Sequence, residues 1–237
     1  MSKHDDFILT SMSVILKETI IASSGIGAGV ETYPLCDYIM QSTFLKMTGY
    51  QEQKMKCIIW EIATNDFEFR RDFLSNKFQL GECSTYKAKN DIYKSLCKQI
   101  KDLNLFDNAD IKKRVKEGSF QFVKSVFENT NLAIWDQCSF ENFSKSNIIK
   151  ENQYLKNKNN LVENIIQDKY ELLYSQRNRI AHNTLSYQQN LPDLTVLKNQ
   201  DEHARNYFLW FSILLLIDNI FIELYKIYQK ELEERIW

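Results

Sequence analysis

Apolar residues recur along this chain every three to four positions, the period of an α-helix with one face turned inward. Ile8, Met12, Ile15, Leu16 and Ile20 keep that spacing and predict a first helix over 5–23, capped by Asp5 or Asp6. A second is predicted over 32–47, with Pro34 in its first turn and Gly49 ending it. A third is predicted over 52–77, through Met55, Ile58, Ile59, Trp60, Ile62, Phe67, Phe69 and Phe73. Thr85 is placed to cap a fourth over 85–103, and 107–129 holds one or two shorter helices broken near Gly118. Asn129 to Phe143 is aromatic but without a clear period and is expected to pack as short turns. Ser144 to Asn160, rich in Asn, Lys and Ser, is expected as a mobile connection or a frayed helix start. Leu161, Ile165, Ile166, Leu172, Leu173 and Ile180 then mark a helix over about 160–183. The last, over 201–235 with Asn199 or Asp201 as cap, is apolar nearly all round, which predicts a place at the centre of a bundle or in a subunit interface.

No stretch reads clearly as a strand, no internal repeat is seen, and only six Gly and two Pro interrupt the 237 residues. The reading is therefore an all-α protein: a helical bundle forming a single domain over 1–237. A core of about 158–237 is expected to pack with the helices of 5–77, and 85–157 to supply accessory helices and a connection.

Charge and cysteine usage narrow the chemistry. A formal net charge of −1 excludes a globally basic coat, so any contact with nucleic acid falls to a local patch. Lys112, Lys113, Arg114 and Lys116 form the densest basic cluster, read as a solvated helix face or an RNA contact. Arg70 and Arg71, beside Glu68 and Asp72, read as a paired surface or a phosphate contact. Five scattered cysteines form no C-x-x-C pair and no cluster with His; they read as reduced, mostly buried thiols of a cytoplasmic protein, with no metal site and no cofactor implied. Residues 1–6 are polar and acidic, unlike a signal peptide. The apolar run Phe208–Ile217 is too short to span a bilayer and stops at Asp218, so no membrane partner is expected. Gly25, Gly27 and Gly29 alternate ahead of a helix. They form a plain loop, a close helix contact or a phosphate cradle, although no Lys-Ser/Thr pair follows and no strand precedes them.

The one compact constellation is Gln176-Arg177-Asn178-Arg179-Ile180-Ala181-His182-Asn183, which holds one of only three histidines. On a helix Asn178 and His182 share a face, and Arg177 is offset from Asn178 by about 100°. A guanidinium beside an imidazole suits phosphodiester chemistry. The first holds the phosphate and neutralises developing charge, and the second moves a proton near neutral pH. In RNA the neighbouring 2′-hydroxyl supplies the nucleophile, so no metal is required. The plainer alternative is a helix end, where cations favour the last turn and Asn183 acts as C-cap.

Arg177-Asn178-Arg179-Ile180-Ala181-His182 resembles the R-x(4–6)-H motif, with a polar residue after the Arg, of HEPN domains. These are helical bundles found in toxin–antitoxin pairs, abortive-infection systems and CRISPR effectors, and many are metal-independent ribonucleases. The resemblance implies a HEPN-like bundle with additional N-terminal helices, an RNA substrate, and a homodimer in which two motifs face one cleft. It also implies an antitoxin or defence-system partner protein. On that basis Arg177 and His182 would be catalytic and Asn178 supporting. The last helix is expected to run antiparallel to the motif helix, which brings His203 and Arg205 of its first turn near the motif; with Arg179 they read as RNA contacts extending a basic cleft, or as an ordinary exposed first turn. Some HEPN toxins carry a Tyr two residues after the His; here that position is Thr184, which departs from that subgroup. A non-catalytic module binding nucleotide, RNA or a partner protein is the alternative.

Overall fold

The computed structural model describes residues 3–77, 83–101, 106–146, 148–181 and 206–235. Eleven α-helices are formed among them: α1 (Lys3–Leu9), α2 (Ser13–Ser23), α3 (Tyr33–Asn65), α4 (Phe67–Asp72), α5 (Tyr86–Gln99), α6 (Ala109–Lys116), α7 (Phe122–Phe127), α8 (Asn131–Trp135), α9 (Gln137–Lys145), α10 (Asn164–Ala181) and α11 (Tyr207–Arg235). The only β-like feature of the described residues is an isolated antiparallel bridge between Tyr154 and Val162. The all-α expectation is met.

α11 is the centre. Phe208, Phe211, Ile213, Leu214, Leu215, Leu216, Ile217, Ile220 and Phe221 are all fully buried, and α1, α3, α5, α6, α7, α9 and α10 pack around it. By length and composition α11 could cross a membrane, but 83% of its most apolar window is buried inside the molecule. Its apolar surface is thus covered by its own chain and needs no second chain for that purpose. Asn206 caps it, its side-chain oxygen accepting from the Leu209 N–H at 3.0 Å. The expected caps Asn199 and Asp201 lie outside the described residues.

Several expectations about the elements are corrected. The first predicted helix is two, because residues Thr10 to Met12 give their backbone groups to a buried ion pair. Lys54 of α3 donates to the Thr10 carbonyl at 2.7 Å, and Asp218 of α11 accepts from the Met12 N–H at 2.9 Å. Asp5 and Asp6 stand in the first turn of α1 rather than capping it. The second and third predicted helices are one, for α3 runs unbroken through Gly49 as far as Asn65. Met47, Thr48 and Gln51 on either side of that glycine are buried, and their packing outweighs the poor helix propensity of one residue. Asp66 then ends the run in an extended conformation and caps α4, accepting from the Phe69 N–H at 3.0 Å.

The break near Gly118 is instead a widened π turn, Glu117–Gln121, inside a helical run from α6 to α7. A side chain at Gly118 would meet the Asn219 amide of α11 at 2.9 Å, so glycine permits that close approach. The aromatic stretch expected as turns forms α8 and α9, capped by Thr130 and Asp136. Phe140 and Phe143 pack there against Phe208. The connection before α10 is not loose either: Ile149, Tyr154, Leu155, Leu161 and Val162 are buried, and α10 starts at Asn164 rather than Leu161.

Gly49 is exposed, and a Cβ there would meet nothing within 4 Å. Gly49→Ala is therefore expected to stabilise the fold by about 0.5–1 kcal/mol, since alanine restricts the unfolded chain and favours the helix. Urea denaturation with an unchanged slope and a raised midpoint is the measurement; a lowered midpoint would show that the glycine is needed.

Candidate functional site

The motif lies on the last turns of α10. Ile166, Tyr170 and Leu173 are buried on this helix, and Arg177 continues the same stripe at positions i, i+4, i+7 and i+11. The arginine thus occupies a place on the inward seam, against α3, where an apolar residue would be ordinary. Its side chain keeps 25% of its exposure.

Among the described residues, two neighbours meet the guanidinium. Nη1 donates to the Asn178 side-chain oxygen at 3.0 Å. Nη2 faces Glu52 Oε2 of α3 at 3.9 Å, a charge contact too long for a hydrogen bond. The other oxygen of Glu52 is paired with Lys56, one turn on, at 2.8 Å. An arginine fork carries five N–H donors, and these contacts leave donors for an anion. Arg179 is half-buried on the same turn. His182, His203 and Arg205 lie outside the described residues. The structure therefore brings Arg177 and Asn178 together and adds Glu52, which the sequence reading did not single out.

Next to this group lies a fully buried cation. Lys89, in the first turn of α5, is only 1% exposed. Its amine donates to the carbonyls of Cys83 at 2.7 Å and Ser84 at 3.4 Å and lies 5.5 Å from the centre of the Tyr170 ring. No carboxylate is within hydrogen-bonding range of that amine among the described residues. Burial pushes its pKa down to about 7; the Cys83 thiol and Glu52 work against that fall, and Arg177 adds to it. Burial likewise raises the Cys83 thiol, while Lys89 and Lys56 draw it back. Tyr170 is raised by burial as well, and its hydroxyl donates to the Ser84 carbonyl at 2.6 Å. Glu52, Lys56, Lys89 and Arg177 are thus one electrostatic group spanning α3, α5 and α10. The signal that would have found Lys89 and Glu52 is positional: each falls within a helix near its buried stripe, yet both residue types are ordinarily read as solvent-facing.

The other candidates resolve into paired surfaces. Arg114 bonds Glu223 at 2.9 Å, Lys113 pairs with Glu117 at 3.9 Å and Lys116 with Glu151 at 3.8 Å. Arg70 lies over the Phe67 ring at 5.3 Å and Arg71 approaches Asp72 at 3.8 Å. At Gly29 the Glu31 carboxylate fills the space that a Cβ would take, so that backbone already faces an anion from its own chain. Cys36, Cys57, Cys83 and Cys97 are buried free thiols, and Cys138 is exposed. Among the described residues no three of His, Cys, Asp and Glu gather as metal ligands.

No protein-family model, curated protein or solved structure matches this chain. The resemblance in 177–182 accordingly rests on those residues and their place in a helical bundle.

Proposed function

We propose that this chain is a metal-independent RNA endonuclease of HEPN type, cytoplasmic, acting in toxin–antitoxin or antiphage defence beside a partner protein. The observation that carries the reading is Arg177, a half-buried guanidinium on an inward helical stripe, steadied by Asn178 and still partly open to solvent. In this mechanism Arg177 binds the scissile phosphate and neutralises charge that builds on its oxygens. His182, the residue after the described end of α10, withdraws the proton of the 2′-hydroxyl or returns one to the leaving 5′-oxygen. The 2′-oxygen attacks phosphorus, the bond to the 5′-oxygen breaks, and a 2′,3′-cyclic phosphate remains. Arg179, with His203 and Arg205, would hold flanking RNA.

The test is cleavage of single-stranded RNA in EDTA. The expected products carry 2′,3′-cyclic phosphate or 3′-phosphate ends, and DNA of the same sequence survives because it lacks the attacking hydroxyl. Loss of cleavage in EDTA, or cutting of DNA, would overturn the proposal. A second reading, a non-catalytic module that binds nucleotide or RNA, is favoured by the neighbours Arg177 already has; intact binding without cleavage would select it.

A composite site requires a second copy, and α11 is already covered within one chain. The outward stripe of α10 is the surface this proposal uses: Ile165 is 57% and Leu172 42% exposed, and Arg179 follows at the same seven-residue spacing. Leu172→Glu is expected to turn a dimer into a monomer by light scattering and to lower RNA cleavage with it. A dimer unaffected by that change would remove this surface from the assembly.

A further inference from the structure

Glu52 has no part in the chemistry above, yet its carboxylate stands closer to the Arg177 fork than any other acid of the described residues. It is well fixed. It projects from the middle of α3, is bonded by Lys56 at 2.8 Å through Oε1, and turns Oε2 towards Arg177 Nη2 at 3.9 Å. Only 18% of its side chain is exposed, so solvent screens its charge incompletely. Lys56, 45% exposed and bonded to the opposite carboxylate oxygen, offsets part of that charge from the far side.

An anion seated on the Arg177 donors that the described neighbours leave open therefore binds within the field of a fixed negative charge. The energy of that repulsion is proportional to the charge of the ligand. An internal phosphodiester carries one negative charge, whereas a terminal phosphomonoester, with its second pKa near 6, carries about −1.5 to −2 at neutral pH. Arg177 attracts both, and Glu52 takes back more from the second than from the first. Repulsive elements of this kind set specificity by penalising the wrong ligand rather than by improving the right one.

We propose that Glu52 is a specificity-determining residue that sets the Arg177 site for internal phosphodiesters and against terminal phosphates. This rests on the reading of Arg177 as the phosphate holder. It makes the site suited to cutting within an RNA strand and to releasing 3′-phosphate ends once formed.

The experiment measures binding rather than cleavage, with two probes that each carry a single phosphate. One is a 2′-O-methyl dinucleoside monophosphate, a diester; the other is the corresponding 2′-O-methyl nucleoside 3′-phosphate, a monoester. Both resist attack because the 2′-oxygen is blocked. Titrations of the full chain at pH 8 and fixed salt compare wild type, Glu52→Gln, Glu52→Asp and Arg177→Ala. Wild type is expected to favour the diester. Glu52→Gln is expected to gain on the order of tenfold for the monoester and roughly threefold for the diester, the logarithms standing in the ratio of the two charges. Glu52→Asp keeps the charge and should keep the wild-type preference, and a shift as large as that of Gln would show a structural effect and overturn the assignment. An equal shift for both probes in Glu52→Gln, or none, also overturns it, while loss of binding in Arg177→Ala would leave the phosphate-holder reading standing. If wild type and Arg177→Ala bind both probes alike and cut no RNA, that reading fails and this assignment with it.

Discussion

His182→Ala is expected to cut RNA more slowly than wild type by a factor on the order of 10²–10⁴, the usual contribution of a positioned acid–base group. The expectation follows from what each residue of the pair supplies. Without the imidazole the 2′-hydroxyl must lose its proton to water, and the 5′-oxygen must leave with no proton donor at hand. Arg177→Lys should fail as well, although the charge is kept. A lysine ammonium is a point charge, whereas the guanidinium is a planar fork whose Nη1 is already set by the Asn178 oxygen at 3.0 Å. Asn178→Ala should lose less, since the fork remains but is held by one neighbour fewer. These effects are read from initial rates in EDTA on folded variants. Wild-type rates in His182→Ala would remove the histidine from the mechanism. Full activity in Arg177→Lys would mean that only charge is required at that position.

The helical class was legible because breakers are few and the apolar period of 3.6 recurs in separate long segments, the first from Ile8 and the last reaching Leu224. Local signals were also reliable where they act locally. Pro34 stands in the first turn of α3, and Thr85 caps α5 by accepting from the Ala88 N–H at 3.2 Å. Errors arose where distant residues override local preference. The split between α1 and α2 is set by partners 44 and 206 residues away, so nothing within 5–23 could announce it. Gly49 reads as a helix end, yet buried neighbours on both sides carry α3 through it. At the candidate site the stripe Ile166, Tyr170, Leu173, Arg177 was present in the sequence as a periodic pattern, and it places an arginine on the seam. Glu52 and Lys89 were not legible, because a charged residue on an amphipathic helix is ordinarily solvated. Only the packing of α3, α5 and α10 shows these two beside Arg177.

Removing either partner of the Lys54–Asp218 pair is expected to destabilise the fold by about 3–5 kcal/mol, because the other charge is left buried and uncompensated. Both side chains are fully buried and meet at 2.5 Å. Burial pushes the Asp218 carboxyl up and the Lys54 amine down, and the opposite charge of each resists that shift. The pair also ends two helices. Lys54 donates to Thr10, just past the C-terminus of α1, and Asp218 accepts from Met12, at the N-terminus of α2. A cation at the first end and an anion at the second both complement the helix dipoles. This changes the outcome of a double substitution. Replacing an isolated buried ion pair by apolar residues of similar volume is often neutral or stabilising. Here Lys54→Met with Asp218→Leu would leave the Thr10 carbonyl and the Met12 N–H without those partners, at a cost of about 1–3 kcal/mol for each that stays buried and unpaired. The double variant should therefore remain destabilised, by less than the sum of the two single variants, and a double-mutant cycle from urea denaturation reads the difference. A double variant as stable as wild type would show that the pair does not hold the break between α1 and α2.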